Sequence, residues 1–352
     1  MAQRQLPDAE LQDTLALLEK CGNVSAAARE AGVPRGTFMH RLSIARSRVL
    51  TGDIEREVKP LGQPYERAWA EWQKHIGMAK ERYTGPAKPR AYSGRMRVVA
   101  AGDFHIPFHD RAALAALITK EAKQTDVLVI GGDFGDAHCA STFVKYEDVS
   151  FEQEHAAKTL ALEELSSAFS RVVYLKGSNH SDRFEKRLRE NLTKDLIEAI
   201  QWMSGGTLNP DLALVKHYSN IEVGCHKTPN GQEIDWMCVL GDVVFTHAEA
   251  YSKVPGSVLR SLQERLDDNG KLWGLPPLRA ICQFHTHSMA WLPWRSDMLL
   301  IEPGCMAQPM QYQSRAKGGG RAQRLGYVTM ELVDMKLDVN SVRLVWLDAD
   351  RA

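Results

Sequence analysis

The sequence predicts an α/β fold with two β-sheets, preceded by a small domain built from helices alone. From residue 96 onward, short apolar runs alternate with amphipathic helical stretches, and the first three apolar runs each lead into a helical stretch. The later apolar runs follow one another more directly, which indicates a second, largely antiparallel sheet. Residues 1–50 carry helical patterns without strand signals.

The individual elements follow from local composition. In chain order, the predicted strands are the segments MRVVAAGD, DVLVIGGD, RVVYLKGS, MCVLGDVVFTHA, RAICQFHTH, MLLIEPG, GYVTMELV and SVRLVWL. Helices are predicted over 110–123, 152–169 and 182–204. The chain therefore divides into an all-helical domain over 1–50, a linker over 51–95 and an α/β domain over 96–352.

Two segments outside these elements have patterns of their own. The linker contains several prolines, and a helix is predicted within it near 65–82. Residues 314–324 are basic and glycine-rich, which predicts a mobile loop.

Charge and hydropathy argue against a membrane protein and leave nucleic acid open. The 352 residues contain 44 Lys and Arg against 44 Asp and Glu, so any nucleic-acid surface must be local. No apolar stretch approaches the roughly 20 residues that span a bilayer. The N-terminus lacks the apolar run of a signal peptide. We expect a soluble, cytoplasmic protein without a membrane partner.

Metal-binding side chains stand at the ends of the predicted strands. Asp103 and His105 are two residues apart on a segment predicted to be extended, so their side chains should point the same way. The same spacing recurs at His285 and His287. Three more candidates follow other strands, namely Asp133, Asn179 and His247, and His180 stands directly after Asn179. Carboxylates and imidazoles at such spacings can hold divalent ions.

The ordered motifs D-x-H, G-D-x-x-D, N-H, a lone His and H-x-H resemble the calcineurin-like metallophosphoesterase superfamily over roughly residues 96–350. The resemblance implies a four-layer αββα sandwich and hydrolysis of phosphoesters. It implies one ion held by Asp103, His105 and His287, and a second held by Asn179, His247 and His285. Asp133 would bridge the two ions.

The resemblance, especially to the nuclease branch, favours Mn²⁺, and the mixed oxygen and nitrogen ligands also suit Fe or Zn²⁺. A pair of ions would activate water and neutralise the phosphoryl oxygens. His180 would protonate the leaving oxygen as general acid. Arg183 could hold a non-bridging oxygen, or it could belong to a solvated helix face. Asp136 is expected to orient a ligand rather than to bind metal.

Three positions depart from the family pattern, which usually has glycine before the Asn-His pair, near the lone His and before the final H-x-H. Ser178, Ala248 and Phe284 occupy these places. Because glycine permits positive φ and close backbone approach, the local geometry is expected to differ there. GDFHIP and GDFGDAH also depart from the motifs of the protein-phosphatase branch.

The N-terminal segment GNVSAAAREAGVPRGTFMHRL resembles a Fis-like DNA-binding helix-turn-helix. Its third helix would expose Arg35, Thr37, His40 and Arg41. Residues 23–50 contain five Arg and one Glu, a local charge of +4 that suits phosphate contacts. The alternative is a helical module for protein docking or dimerisation.

Together the two domains predict a DNA nuclease or DNA-end phosphodiesterase of bacteriophage type, with DNA as partner. One alternative is a phosphodiesterase for a cyclic or signalling nucleotide. Another is a DNA-binding regulator with a vestigial phosphoesterase domain, against which the complete set of ligands argues.

Overall fold

The computed structural model describes residues 7–21, 24–50, 94–142, 149–203, 206–250, 252, 254, 256–294, 297–309 and 323–347. The chain forms two compact units, Met1–Glu71 and Trp72–Ala352. The helix predicted near 65–82 lies outside the described residues, as does most of the basic segment 314–324.

Among its described residues, the first unit contains three helices: α1 (Asp8–Cys21), α2 (Val24–Glu30) and α3 (Arg35–Leu50). Phe38 of α3 is fully buried against small residues of α2, because alanines allow the two helices to approach closely. Gly32 has φ +67° in the turn between these helices, a conformation that costs glycine little.

The larger unit contains six α-helices and thirteen strands among its described residues. The helices are α4 (Arg111–Glu121), α5 (Phe151–Ala168), α6 (Ser181–Asn191), α7 (Lys194–Met203), α8 (Pro210–Val215) and α9 (Ser257–Trp273). The strands are β1 (Arg95–Ala101), β2 (Val127–Ile130), β3 (Val172–Leu175), β4 (Ile221–Gly224), β5 (His226–Lys227), β6 (Glu233–Ile234), β7 (Met237–Leu240), β8 (Val243–Thr246), β9 (Ala280–Gln283), β10 (Met289–Trp294), β11 (Met298–Pro303), β12 (Gly326–Val333) and β13 (Lys336–Trp346).

The first sheet has six strands in the order β13-β12-β1-β2-β3-β4. Strands β1 to β4 are parallel, and the C-terminal hairpin of β12 and β13 adds antiparallel strands beside β1. The carboxyl ends of β1, β2 and β3 therefore lie at one edge of the sheet, where side chains that follow each strand can meet.

The second sheet has five strands in the order β10-β11-β9-β8-β7. The expectation of a largely antiparallel sheet was wrong, because β8 pairs parallel with β9 and β9 pairs parallel with β11. A parallel pair needs a crossover connection, and α9 supplies it between β8 and β9.

The two sheets pack face to face, and helices cover their outer faces. Val98 and Val129 of the first sheet share one apolar core with Phe245 and Ile301 of the second. Leucines of α9 pack on the opposite face of the second sheet. Tyr327 of β12 points away from the shared core and donates a hydrogen bond to Glu121 of α4. The predicted α/β fold with two layered sheets is confirmed.

The helix predicted over 182–204 is divided into α6 and α7. Leu192 ends α6 in an extended conformation, and Thr193 precedes α7, where a hydroxyl side chain is favoured as an N-cap. Within the described part of the chain, every helix is too short or too polar to cross a membrane.

Candidate metal centre

The loops after β1 and β2 run side by side beyond the ends of the strands. The Asp103 N–H donates to the Gly132 carbonyl at 3.1 Å, and the His105 N–H donates to the Asp133 carbonyl at 2.9 Å. Asp103 and His105 were expected on an extended segment, but β1 ends at Ala101 and both residues lie in the following loop. Their side chains converge because of this loop, not because of strand alternation.

Five of the seven predicted metal ligands have the left-handed backbone conformation that non-glycine residues rarely adopt. They are Asp103 (φ 52°), His105 (φ 49°), Asp133 (φ 42°), His285 (φ 74°) and His287 (φ 52°). Each such residue costs on the order of 1–3 kcal/mol, and such strain clusters at functional sites. The expected extended segment at His285 and His287 is also absent, since β9 ends at Gln283.

The side chains of these residues form three overlapping groups, within each of which the candidate ligand atoms all lie within 4.8 Å of one another. The groups are Asp103 with His105 and His287, His105 with Asp133 and His180, and Asp133 with His247 and His285. Asp133 and His105 each belong to two groups. The structure therefore brings together all the predicted ligands that are carboxylates or imidazoles.

Two carboxylates lie at the centre of the site, and both are buried. Asp103 is 0% exposed and Asp133 is 1% exposed. In the part of the chain that the structure describes, both carboxylates pair with histidines and neither pairs with Lys or Arg. Buried carboxylates require a compensating positive charge, and a bound cation would supply it.

Three imidazoles around the two carboxylates have pKa values shifted in opposite directions from the ordinary value of histidine. Burial alone would lower the pKa of His247, but Asp133 and Asp103 raise it to about 10. Burial and the neighbouring His247 lower the pKa of His285 to about 4. Burial also lowers the pKa of His287, to about 3. In the metal-free protein, His285 and His287 are therefore neutral, whereas His247 holds a proton that it would have to lose in order to bind a metal ion.

Asp136 fixes the orientation of His105. Its Oδ1 lies 3.1 Å from His105 Nδ1, so that nitrogen carries the proton and donates it. His105 Nε2 then presents a lone pair, 3.0 Å from His287 Nε2. A carboxylate that orients the rear nitrogen of a histidine is typical of metal sites.

Asn179 contributes an amide oxygen without a partner. Its Oδ1 is buried and has no hydrogen-bond partner among the described residues. Buried amide oxygens are nearly always satisfied. The unpaired oxygen, the facing Nε2 atoms of His105 and His287 and the two buried carboxylates fit divalent cations with mixed oxygen and nitrogen ligands.

His180 and Arg183 lie beside this centre. His180 Nδ1 is 2.9 Å from the Asp136 carbonyl oxygen and 3.0 Å from Asp136 Oδ1. Because both neighbours are acceptors, Nδ1 carries the proton. Arg183 Nη2 lies 2.8 Å from His180 Nε2, and Arg183 Nη1 donates to the Asp136 carbonyl at 3.1 Å. Arg183 therefore contacts His180 as well as the loop that carries Asp136.

Ser178, which occupies a usual glycine position, supports Asp133. Its Oγ accepts the backbone N–H of Asp133 at 3.0 Å, and it also lies 3.0 Å from Ser181 Oγ. The Asp133 Oδ1 accepts the backbone N–H of His180 at 3.0 Å. The hydroxyl thus holds a strained backbone in place, which glycine could not do.

Phe284, at a second such position, is 1% exposed and packs against two glycines. A Cβ on Gly131 would lie 2.1 Å from its ring, and a Cβ on Gly102 would lie 2.5 Å from it. The two glycines directly precede the loops of Asp133 and Asp103. The bulky ring thus fills the space that is open because Gly131 and Gly102 have no side chains.

Ala248, at the third position, is held by the side chain of Gln283. Gln283 Oε1 accepts the Ala248 N–H at 3.3 Å, and Gln283 Nε2 donates to the Ala248 carbonyl at 2.9 Å. Gln283 is fully buried. It therefore links the segment after His247 to the segment that leads into His285.

The residues predicted to bind DNA lie in the first unit, on α3. Arg35, Thr37 and His40 are exposed. Arg41 is only 23% exposed and forms an ion pair of 2.7 Å with Glu10 of α1. Arg41 therefore stabilises the packing of α1 on α3.

Sequence patterns did not point to several residues that support the site. Gln283 is one of them, and Glu154 is another. Glu154 accepts hydrogen bonds from the Ala137 and His138 N–H groups. Both roles depend on contacts between distant segments of the chain. In the sequence, Phe284 is visible only as a departure from glycine. No local spacing signals these contacts.

Comparisons with known proteins give remote structural similarity. The chain matches no known family model and no curated protein. It is similar to Vps29 of Entamoeba histolytica in complex with Zn²⁺, at 12% identity and TM-score 0.33, over 70% of this chain and 96% of that chain. It is also similar to Vps29 of Chaetomium thermophilum in complex with a cyclic peptide, at 11% identity and TM-score 0.36, over 72% of this chain and 97% of that chain. A third similar structure is a conserved uncharacterized protein of Streptococcus pneumoniae, a predicted phosphoesterase, at 12% identity and TM-score 0.28, over 71% of this chain and 96% of that chain.

Proposed function

We propose that the larger unit is a phosphoesterase that uses two divalent metal ions. The observation that carries this proposal is the buried cluster in which Asp103 and Asp133 lack Lys or Arg partners among the described residues, while the Asn179 Oδ1 is unpaired. Such a cluster is costly without cations. Strain at five of its residues supports selection for function over stability.

One ion would be held by Asp103, His105 and His287, and the other by Asn179, His247 and His285, with Asp133 between them. When bound, the ions would supply the positive charge that activates water and neutralises phosphoryl oxygens. Mn²⁺ is the ion we favour, and Fe and Zn²⁺ suit the same donor set.

His180 and Arg183 would act on the substrate. The His180 Nδ1–H is directed to Asp136, so a proton can pass to a leaving oxygen only through Nε2. Arg183 Nη2 now lies against that atom. We propose that a substrate phosphate draws the guanidinium away, because a bidentate contact with phosphate is stronger than a contact with imidazole. His180 Nε2 then faces the leaving group.

The substrate we propose is DNA. The covalent link between a basic helical unit and a phosphoesterase site would raise the effective concentration of DNA at that site. The exposed Arg35, Thr37 and His40 of α3 are the residues we expect to touch DNA.

A small-nucleotide phosphodiesterase is the second candidate. The observation that favours it is the ion pair of Arg41 with Glu10, which occupies one of the predicted DNA contacts. A DNA-binding unit with fewer free cations would bind phosphates less strongly.

DNA cleavage by the full chain in Mn²⁺ separates the two candidates. Arg35→Ala combined with His40→Ala should weaken DNA binding, flatten its salt dependence and slow DNA cleavage. Hydrolysis of a small phosphodiester should be unchanged. Lys20→Ala is the matched control, because it removes a cation of the same unit that lies on α1. Salt-independent or absent DNA binding by the unaltered protein would favour the small-nucleotide candidate.

A further inference from the structure

A carboxylate outside the predicted ligand set holds the loop that carries Asp133 and Asp136. Glu154, in the first turns of α5, is 2% exposed. Its Oε1 accepts the N–H of Ala137 and its Oε2 accepts the N–H of His138, both at 2.8 Å. A single carboxylate thus binds two consecutive backbone N–H groups.

The loop requires such support because its backbone is strained. Ala137 has φ 48° and ψ 44°, and Asp133 has φ 42°. Both residues lie in the left-handed region, which is unfavourable for side chains with a Cβ. The two hydrogen bonds to Glu154 stabilise this unfavourable conformation of the loop.

Glu154 is itself held by buried charges. Lys158 is 3% exposed, and its Nζ lies 3.3 Å from Glu154 Oε1 and 2.5 Å from Asp211 Oδ1. The Tyr174 hydroxyl donates to Asp211 Oδ2 at 3.3 Å. Because every member is buried and paired, these four side chains form a rigid network.

The loop and the network are packed together. A Cβ on Gly135 would lie 2.6 Å from Lys158 Cδ, so the backbone between Asp133 and Asp136 rests directly on the lysine stem. On its other side, Asp136 contacts His105 and His180. A displacement of the loop would therefore be transmitted to both imidazoles.

We propose that Glu154, fixed by Lys158 and Asp211, is a positioning residue that holds the loop of residues 133–138 and thereby aims Asp136 at His105 and His180. Its importance for hydrolysis rests on the proposed phosphoesterase function. Its hold on the loop is independent of that function.

The test uses the full chain with Glu154→Gln. The variant replaces one acceptor oxygen by an NH2 group, so one of the two backbone N–H groups faces a donor instead of an acceptor, and Lys158 loses one carboxylate partner. In metal-free protein, we expect hydrogen exchange at the Ala137 and His138 amides to become at least about tenfold faster. We expect the affinity for added Mn²⁺, measured by calorimetry, to fall by about 10–100-fold.

Glu163→Gln is the matched control, since Glu163 is an exposed glutamate on the same helix. It should change neither the amide exchange nor the Mn²⁺ affinity. Glu154→Asp keeps the charge beside Lys158 but shortens the side chain, so it should give intermediate values. If Glu154→Gln does not fold, Glu154→Asp is judged by the same two measurements.

Unchanged amide exchange in the folded variant would overturn the proposal, and so would faster exchange with unchanged Mn²⁺ affinity. Neither measurement uses hydrolysis. If the unaltered protein hydrolyses no phosphoester, the proposed function fails while the positioning role of Glu154 can still be tested.

Discussion

Phe284 lies over Gly131 so closely that a Cβ on this glycine would fall 2.1 Å from the aromatic ring. The contact joins the segment before His285 and His287 to the segment before Asp133. The contact between this ring and this glycine therefore fixes the relative position of proposed ligands from the two sheets.

Gly131→Ala should destabilise the larger unit, because the new methyl group must displace a fully packed ring. Overpacking of this kind costs about 1–3 kcal/mol. We expect denaturant unfolding to show that loss, together with weaker Mn²⁺ binding. Gly270→Ala is the control, since a methyl group added to this helical glycine would meet no atom closer than 4.0 Å. The stability of this control variant should equal or slightly exceed that of the unaltered protein. Equal stabilities for both variants would contradict the packing role of Phe284.

Ser178→Ala should leave the buried N–H of Asp133 without its acceptor. An unsatisfied buried donor costs about 1–3 kcal/mol. Because Asp133 has positive φ, the loop should relax and the Mn²⁺ affinity should fall. Calorimetric titration of the variant measures this directly. A variant with full stability and full affinity would show that the hydroxyl has no supporting role.

His180→Ala should slow hydrolysis by about 10²–10⁴-fold for a substrate with a poor leaving group. The loss should be smaller for a nitrophenyl ester, whose leaving oxygen needs no proton. Kinetics with the two ester types, at saturating Mn²⁺, give the comparison. Equal losses for both substrates would remove the general-acid role.

The free energy of unfolding of the metal-free protein should fall as the pH is lowered through the titration range of His109. Burial and the nearby Arg111 lower the pKa of His109 to about 4, so the unfolded chain, with an ordinary histidine pKa, binds the proton more readily. Well above pH ~6.5 neither state is protonated and there is no penalty. As the pH falls from there to ~4, up to about 3 kcal/mol is lost.

The pH effect is isolated by comparison with His109→Leu. The difference in unfolding free energy between this variant and the unaltered protein should depend on pH in the same range. A constant difference between pH ~7 and ~4 would mean that His109 is not buried in its neutral form.

Much of the α/β domain was predictable from the sequence, because apolar runs and strand-end ligands are local signals. The ends of β1, β2 and β3 meet because parallel strands place their carboxyl ends at one edge. The parallel pairing of β8 with β9 is not predicted, because no helix is predicted over the segment of α9, which forms the crossover between the two strands.

The supporting contacts could not be predicted. Ser178 and Phe284 were visible as departures from glycine, but their partners Asp133 and Gly131 lie 45 and 153 positions away in the chain. Glu154 gave no signal, because a glutamate near the start of an amphipathic helix is ordinary. Such contacts are set by tertiary packing rather than by local pattern.

The proposed bridging role of Asp133 predicts that Asp133→Asn binds less metal than the unaltered protein. The amide keeps the shape of the side chain but loses the charge that would compensate two cations. Elemental analysis after dialysis should show two ions per unaltered chain and at most one per variant chain. Two ions retained by the variant would exclude Asp133 as the bridge.

Hydrolysis of a simple phosphodiester as a function of Mn²⁺ concentration tests the central claim most directly. The full chain should show a rate that rises with Mn²⁺ and saturates at two equivalents per chain. Asp133→Asn should reduce the saturated rate to near background. No hydrolysis at saturating Mn²⁺, Fe²⁺ or Zn²⁺, or an undiminished rate in Asp133→Asn, would contradict the assignment of this site as a two-metal phosphoesterase centre.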